Sequence, residues 1–117
     1  MAEIERIGAG PHLSHVAIHA GIVHVSGVVS PGNSVREQTQ NVLDGIDELL
    51  RGAGSDKSRI LVATVWLTDM RHFQEMDGAW EAWLPAGNAP ARACVEAKLS
   101  LLDFSVAIAV TAAQQPS

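Results

Sequence analysis

Arg92, Cys94, Glu96 and Lys98 alternate with small or apolar residues along the segment Ala91 to Leu99. Period-two alternation predicts a strand with all four polar or reactive groups on one face. Arg92 follows Asn88-Ala89-Pro90 and so enters that strand directly from a loop. A guanidinium held there offers a planar fork that fits a carboxylate with two parallel hydrogen bonds. The same arginine can instead close an ion pair with Glu96 or with an acid across an interface. Cys94 is the one thiol of the chain. Spacing indicates no Cys–His–acid trio, and a strand cysteine usually packs as a small hydrophobe, which makes Cys94 a pocket wall rather than a nucleophile.

Other polar groups join the candidates. Ser26-Gly27 closes a strand, where a hydroxyl and free backbone N–H groups can meet a ligand, and His12 precedes that region in a loop. Asp77 falls near the middle of a helical segment, either facing a site or on a solvated face. If Ala20-Gly21 is a two-residue turn, Ala17 faces His24 and the imidazoles of His15, His19 and His24 share a face. Three imidazoles can hold zinc. That face offers no Asp or Glu to orient a ring, so a polar or interface-facing strand is the preferred reading and no metal is assigned.

The elements that must position these groups are legible in outline. Ile4 to Ile7 reads as a short edge strand. Leu13 to Ala20 and Ile22 to Ser26 alternate around the Ala20-Gly21 turn as a hairpin, and Gly27, Pro31, Gly32 and Asn33 mark its exit loop. Ser34-Val35-Arg36-Glu37 has capping-box spacing. Val35, Val42, Ile46, Leu49 and Leu50 then recur at helical spacing until Gly52 and Gly54. Arg59 to Thr68 is apolar on both faces, as a central strand is. Asp69 can cap a second helix whose apolar side is Phe73, Met76, Trp80, Trp83 and Leu84, stopped by Pro85 and Gly87. Strands at about Ala91–Leu99 and Phe104–Ala112 end the chain, with Gln114 to Ser117 as a frayed tail.

This order, ββ(β)αβαββ, predicts an α+β fold. Its two right-handed strand–helix–strand crossovers place both helices on one face of a mixed sheet. The other face carries Trp66 or its neighbours and has no cover from this chain, which predicts a homo-oligomer. The 117 residues fit a single domain spanning 1–117, and 47% hydrophobic with 18% charged residues is an ordinary globular profile. Eight scattered basic residues against thirteen acidic ones give a net charge of −5, which disfavours nucleic acid as a partner. A lone cysteine excludes an internal disulfide. The start MAEIERIGAG lacks the apolar region of a secretory signal, and no apolar run reaches membrane-spanning length. A reduced cytoplasmic setting without membrane contact is the expectation.

The segment Asn-Ala-Pro-Ala-Arg-Ala-Cys-Val-Glu-Ala, Asn88 to Ala97, resembles the signature of the Rid family, also called YjgF or endoribonuclease L-PSP. The likeness extends through Val25-Ser26-Gly27, the helix with Gln38, Thr39 and Asn41-Val42-Leu43, Thr64 through Asp69, and Phe73 through Trp80-Glu81-Ala82-Trp83. It implies chorismate-mutase-like (YjgF/L-PSP) subunits whose sheets pack as a trimeric barrel, with ligand clefts between subunits. It also implies hydrolysis of reactive enamines and imines of the 2-aminoacrylate type to 2-keto acids and ammonia, with no metal or organic cofactor. On this likeness Arg92 clamps the carboxylate of a small ligand and Cys94 lines the pocket.

Members that deaminate carry a glutamate fifteen residues after this arginine, where it orients the attacking water. Here that position is Ala107. Positioned acid–base groups contribute on the order of 10²- to 10⁴-fold to rate, so the substitution weakens the catalytic half of the resemblance. Glu96, Asp77 or His12 would have to substitute. Ala107 and Ala109 share a strand face and are expected to enlarge the pocket beside Arg92. Three functions follow: an enamine/imine deaminase, a noncatalytic or regulatory binder of small carboxylates, and third, as the family's older name suggests, an endoribonuclease, which the acidic balance opposes.

Overall fold

In the computed structural model, which describes residues 3–116, three strands lead into the first helix: β1 (Glu5–Ile7), β2 (Val16–His19) and β3 (Ile22–Val28). Ala20 and Gly21 adopt φ of 51° and 81°, the left-handed pair that a two-residue hairpin turn requires. The hairpin register is the expected one, with Ala17 opposite His24. Helix α1 (Val35–Gly52) begins where Ser34 accepts a hydrogen bond from the Glu37 N–H. Strand β4 (Ile60–Leu67), helix α2 (Phe73–Trp83), and strands β5 (Ala91–Glu96) and β6 (Val106–Ala113) complete the order.

All six strands join one sheet in the order β1-β2-β3-β6-β4-β5. Only the β4–β5 pair is parallel. Strand β6 thus lies between β3 and β4, and β5 is an edge. The α1 face buries Val35, Val42, Leu43, Ile46 and Leu50 against Val23, Val25, Val65, Leu67, Ile108 and Val110. Met76 and Trp80 bring α2 into the same core. Buried Gln38 pins α1 to the entry of β6, since its Oε1 accepts from the Ser105 N–H at 2.9 Å. The opposite sheet face has no helix and shows Val62 and Val95 about half exposed.

Three local features differ from the sequence expectations. Asp69 caps a 3₁₀ turn, Met70–His72, and α2 starts only at Phe73. A register shift between Val25 and Val28 carries β3 past Ser26. The C-terminal tail is tied down rather than frayed. The Gln114 and Gln115 N–H groups donate to the Gly21 and Gly54 carbonyls, both at 2.8 Å. Arg59 donates to the carbonyls of Ala113 and Gln114. These bonds satisfy backbone groups that would otherwise hold the tail in solvent. Ser117, the last residue of the expected tail, and Met1 and Ala2 lie outside the described residues. No helix among those described is long and apolar enough to cross a membrane.

Candidate functional site

Arg92 leaves the second position of edge strand β5 on the helix side of the sheet, in one row with Ala63 of β4 and Val110 of β6. One turn of α2 passes over it. The Arg92 Nη1 donates to Asp77 Oδ1 at 2.6 Å. The guanidinium carbon lies 5.7 Å from the Phe73 ring centre and 5.5 Å from that of Trp80, within range of attraction to both ring faces. Acid and rings fix the long side chain in one position while 23% of it stays exposed.

A cavity of about 560 Å³ opens at this point, lined among others by Asp77, Trp80, Glu81, Leu84, Pro90 and Arg92. That volume suits a small organic molecule. Trp80, Leu84 and the prolines supply apolar wall, and Asp77, Glu81 and Arg92 supply charge.

Of the residues expected at the site, Asp77 and Arg92 meet directly. Asp77 faces Arg92 from α2, so the partner of the arginine is this helix acid and not Glu96. Glu96 instead accepts from the Met70 N–H at 2.9 Å and holds the 3₁₀ turn. Cys94 shares the sheet face of Arg92, yet packs half-buried against the core and does not line the cavity. Burial pushes its thiol pKa up, with the nearby Asp77 carboxylate adding to the rise and Arg92 opposing it. This is the environment of an unreactive thiol.

Ser26, Gly27, Ala107 and His12 lie elsewhere within the subunit. Ala107 pairs with Trp66 of β4, on the face no helix covers. It therefore points away from Arg92, and the expectation that Ala107 and Ala109 widen the Arg92 pocket is corrected. Two side chains share a sheet face only when they fall in phase across the strands between, and here they fall out of phase. Ser26 and Gly27 occupy the irregular stretch of β3, and a Cβ on Gly27 would meet the Trp66 ring at 3.9 Å. Gly27 and Ala107 thus lie beside Trp66 on the open face. His12 is exposed in the β1–β2 connection. Among the described residues no three His, Cys, Asp or Glu side chains converge to hold a metal ion. His15 turns its ring over Gly8, so close that a Cβ there would sit 2.2 Å from its Cδ2.

Glu81, one turn beyond Asp77 on α2, lines the cavity and was missed as a site residue. Its i+4 spacing from Asp77 was the available signal.

The family model for endoribonuclease L-PSP matches residues 3–114. The chain belongs to this family. A RutC family protein of Haemophilus ducreyi is 44% identical over 112 residues, covering 94% of this chain and 96% of that one. The RutC family protein YoaB of Escherichia coli is 42% identical over 113 residues, covering 94% and 97%. The crystal structure of a YjgF family member from Neisseria meningitidis superposes with a TM-score of 0.96 at 40% identity, covering 98% of both chains. The YjgF/L-PSP fold thus accounts for the whole described chain. Pro90 and Arg92, which line the cavity, fall within the stretch that the family model matches.

Proposed function

We propose that this chain is a Rid-type enamine/imine deaminase that hydrolyses small imino acids to 2-keto acids and ammonia. The observation that carries the reading is Arg92, clamped by Asp77, Phe73 and Trp80 yet open to a cavity of ligand size. The guanidinium holds the substrate carboxylate. Water then adds through its oxygen to the imine carbon, and its proton passes to nitrogen. The carbon–nitrogen bond of the resulting carbinolamine breaks, releasing ammonia and leaving the keto group. Cys94, with its raised thiol, takes no covalent part.

The active form in this reading is a homotrimer with clefts between subunits. Its support is the separation of the site within one chain. Arg92 and Asp77 lie on the helix side at an edge strand, and Ser26, Gly27 and Ala107 gather on the uncovered face. A neighbour docking on that face would bring the two groups of residues together.

A second reading is favoured by Ala107. With no side-chain carboxylate there to orient water, the chain would bind small carboxylates without turnover. Measured hydrolysis of an imino acid generated in solution decides between the two. Under the deaminase reading the parent accelerates hydrolysis, and Arg92→Ala lowers the rate at least 10-fold with unchanged far-UV circular dichroism. Binding without acceleration selects the second reading, and an unaffected Arg92→Ala variant removes Arg92 as anchor from both. Cleavage of RNA has little support, because two carboxylates at the cavity and a net charge of −5 oppose a phosphate backbone.

A further inference from the structure

The strands place ionisable groups of one kind on the open face of the sheet. Arg6 of β1 lies in register with Ala17, and Ala17 with His24. The same row continues through Thr111, Val62 and Ala91. Alternation along β2 adds His19 and, just before the strand, His15. Glu5 stands in the row of buried Ile18, on the helix side. The open-face positions of β4, β5 and β6, from Val62 to Trp66, Ala91 to Val95 and Ala107 to Ala113, are uncharged. In a chain of net charge −5, the strands of this face thus carry no carboxylate. Arg6, His15, His19 and His24 are all exposed, and none forms an ion pair among the described residues. His24 sits between small Ala17 and Thr111, so its ring stands above its neighbours in the row.

We infer that this face makes assembly pH-sensitive: subunits associated at neutral pH separate when His15, His19 and His24 take up protons in mildly acidic solution. The inference rests on the open face being the one that a neighbour covers, and adds a control on that contact. An imidazole gains its charge between about pH 8 and pH 5. At the upper end Arg6 is the sole charge that the strands place on this face, and its long stem can carry the guanidinium to the rim. At the lower end each copy presents Arg6 and three imidazoliums. Covering them strips water from four cations, and no carboxylate on the same strands offsets the loss. Like charges brought together across a contact add repulsion. Histidine clusters elsewhere flip interfaces in this way at about pH 5–6. Because a neighbour completes the proposed site, imino acid turnover is lost with the assembly.

Sedimentation velocity at pH 7.5 and pH 5.5, at one low ionic strength and with far-UV circular dichroism as the check on folding, tests this. The parent is expected to be assembled at pH 7.5. At pH 5.5 its subunit dissociation constant should rise by about 10- to 100-fold with an unchanged dichroism spectrum. Returning to pH 7.5 should restore the assembly, and added salt at pH 5.5 should restore part of it by screening the repulsion. The combined variant His15→Gln, His19→Gln, His24→Gln should stay assembled at both pH values. If that variant does not fold, His24→Gln alone should lower the pH of half-dissociation. His72→Gln changes an imidazole beside Glu75, away from this face, and should behave as the parent does. A parent that stays assembled at pH 5.5 overturns the inference and leaves the oligomer standing. Tighter assembly at pH 5.5, the result if a neighbour meets these histidines with carboxylates, also overturns it. Acid dissociation that persists in both the combined variant and His24→Gln removes the histidines as its cause. A parent that sediments as the single subunit at pH 7.5 overturns the oligomer reading itself.

Discussion

Trp66 and Ala107 face each other across strands β4 and β6 on the side of the sheet that no helix covers. Arg92 stands on the other side, in the Ala63–Val110 row. A carboxylate introduced at position 107 would therefore not reach a ligand held by Arg92 of its own subunit. In the proposed trimer it would reach such a ligand across a cleft, from a neighbouring subunit. Ala107→Glu is expected to cost about 1–3 kcal/mol in urea denaturation, because a charged side chain replaces one that is 7% exposed beside an indole. In the assembled protein it should raise imino acid turnover 10-fold or more, by supplying a water-orienting group. Turnover equal to or below the parent's would show that position 107 does not face the reacting carbon.

Ser34 gives a test of local stability that leaves the site untouched. Its hydroxyl accepts the Glu37 N–H at 3.0 Å at the start of α1. Replacing a serine N-cap by alanine typically costs about 1 kcal/mol. Ser34→Ala should shift the denaturation midpoint by that amount with an unchanged slope, and binding at Arg92 should be unaltered. A midpoint within error of the parent would mean that water replaces the cap without loss.

The features that rest on neighbours in sequence were legible. Ser34 and Glu37 mark the helix start because a cap is a contact over three residues. Ala20-Gly21 fixes the hairpin because only certain backbones close a two-residue turn. The bare sheet face followed from element order alone. The pairing of Arg92 with Asp77 was not assigned beforehand, since it depends on how α2 crosses β5 and a helix can rotate without changing its apolar pattern much. Ala107 was misplaced for a related reason. Its phase relative to Arg92 passes through β4, which lies between the two strands, and counting along the chain cannot supply it. The bulge around Ser26 was likewise hidden, because one extra residue in a strand leaves no mark in alternation this short.

Val95, Trp66 and Ala107 form one row across β5, β4 and β6 on the open face, and Val95 is 44% exposed there. If this face is the subunit interface, burying the exposed part of such a valine contributes about 1 kcal/mol per copy, roughly half the value of a fully exposed one. Val95→Asp should leave the circular dichroism spectrum near that of the parent and shift sedimentation to the single subunit. Imino acid turnover should fall with it. A variant that sediments with the parent assembly would place the interface elsewhere.

Cys94 offers a chemical check on the environment of the pair. Burial first, then the Asp77 carboxylate, raise its thiol pKa against the opposing effect of Arg92. Only the thiolate is alkylated at a useful rate, so iodoacetamide should modify folded protein more slowly than denatured protein at neutral and mildly alkaline pH. The linkage has a definite sign. A thiol pKa raised in the folded state disfavours folding at alkaline pH, because above the unfolded thiol pKa the unfolded chain loses its proton first. The thiol's contribution is accordingly intact below that unfolded value and lost as pH rises through the folded one. Cys94→Ala removes this alkaline loss, and the difference in denaturation midpoint between pH 7 and pH 10 should shrink. Asp77→Asn removes the second cause of the rise, so alkylation of Cys94 should quicken in that variant. Equal alkylation rates in parent and Asp77→Asn would show that the thiol does not sense the carboxylate that faces Arg92.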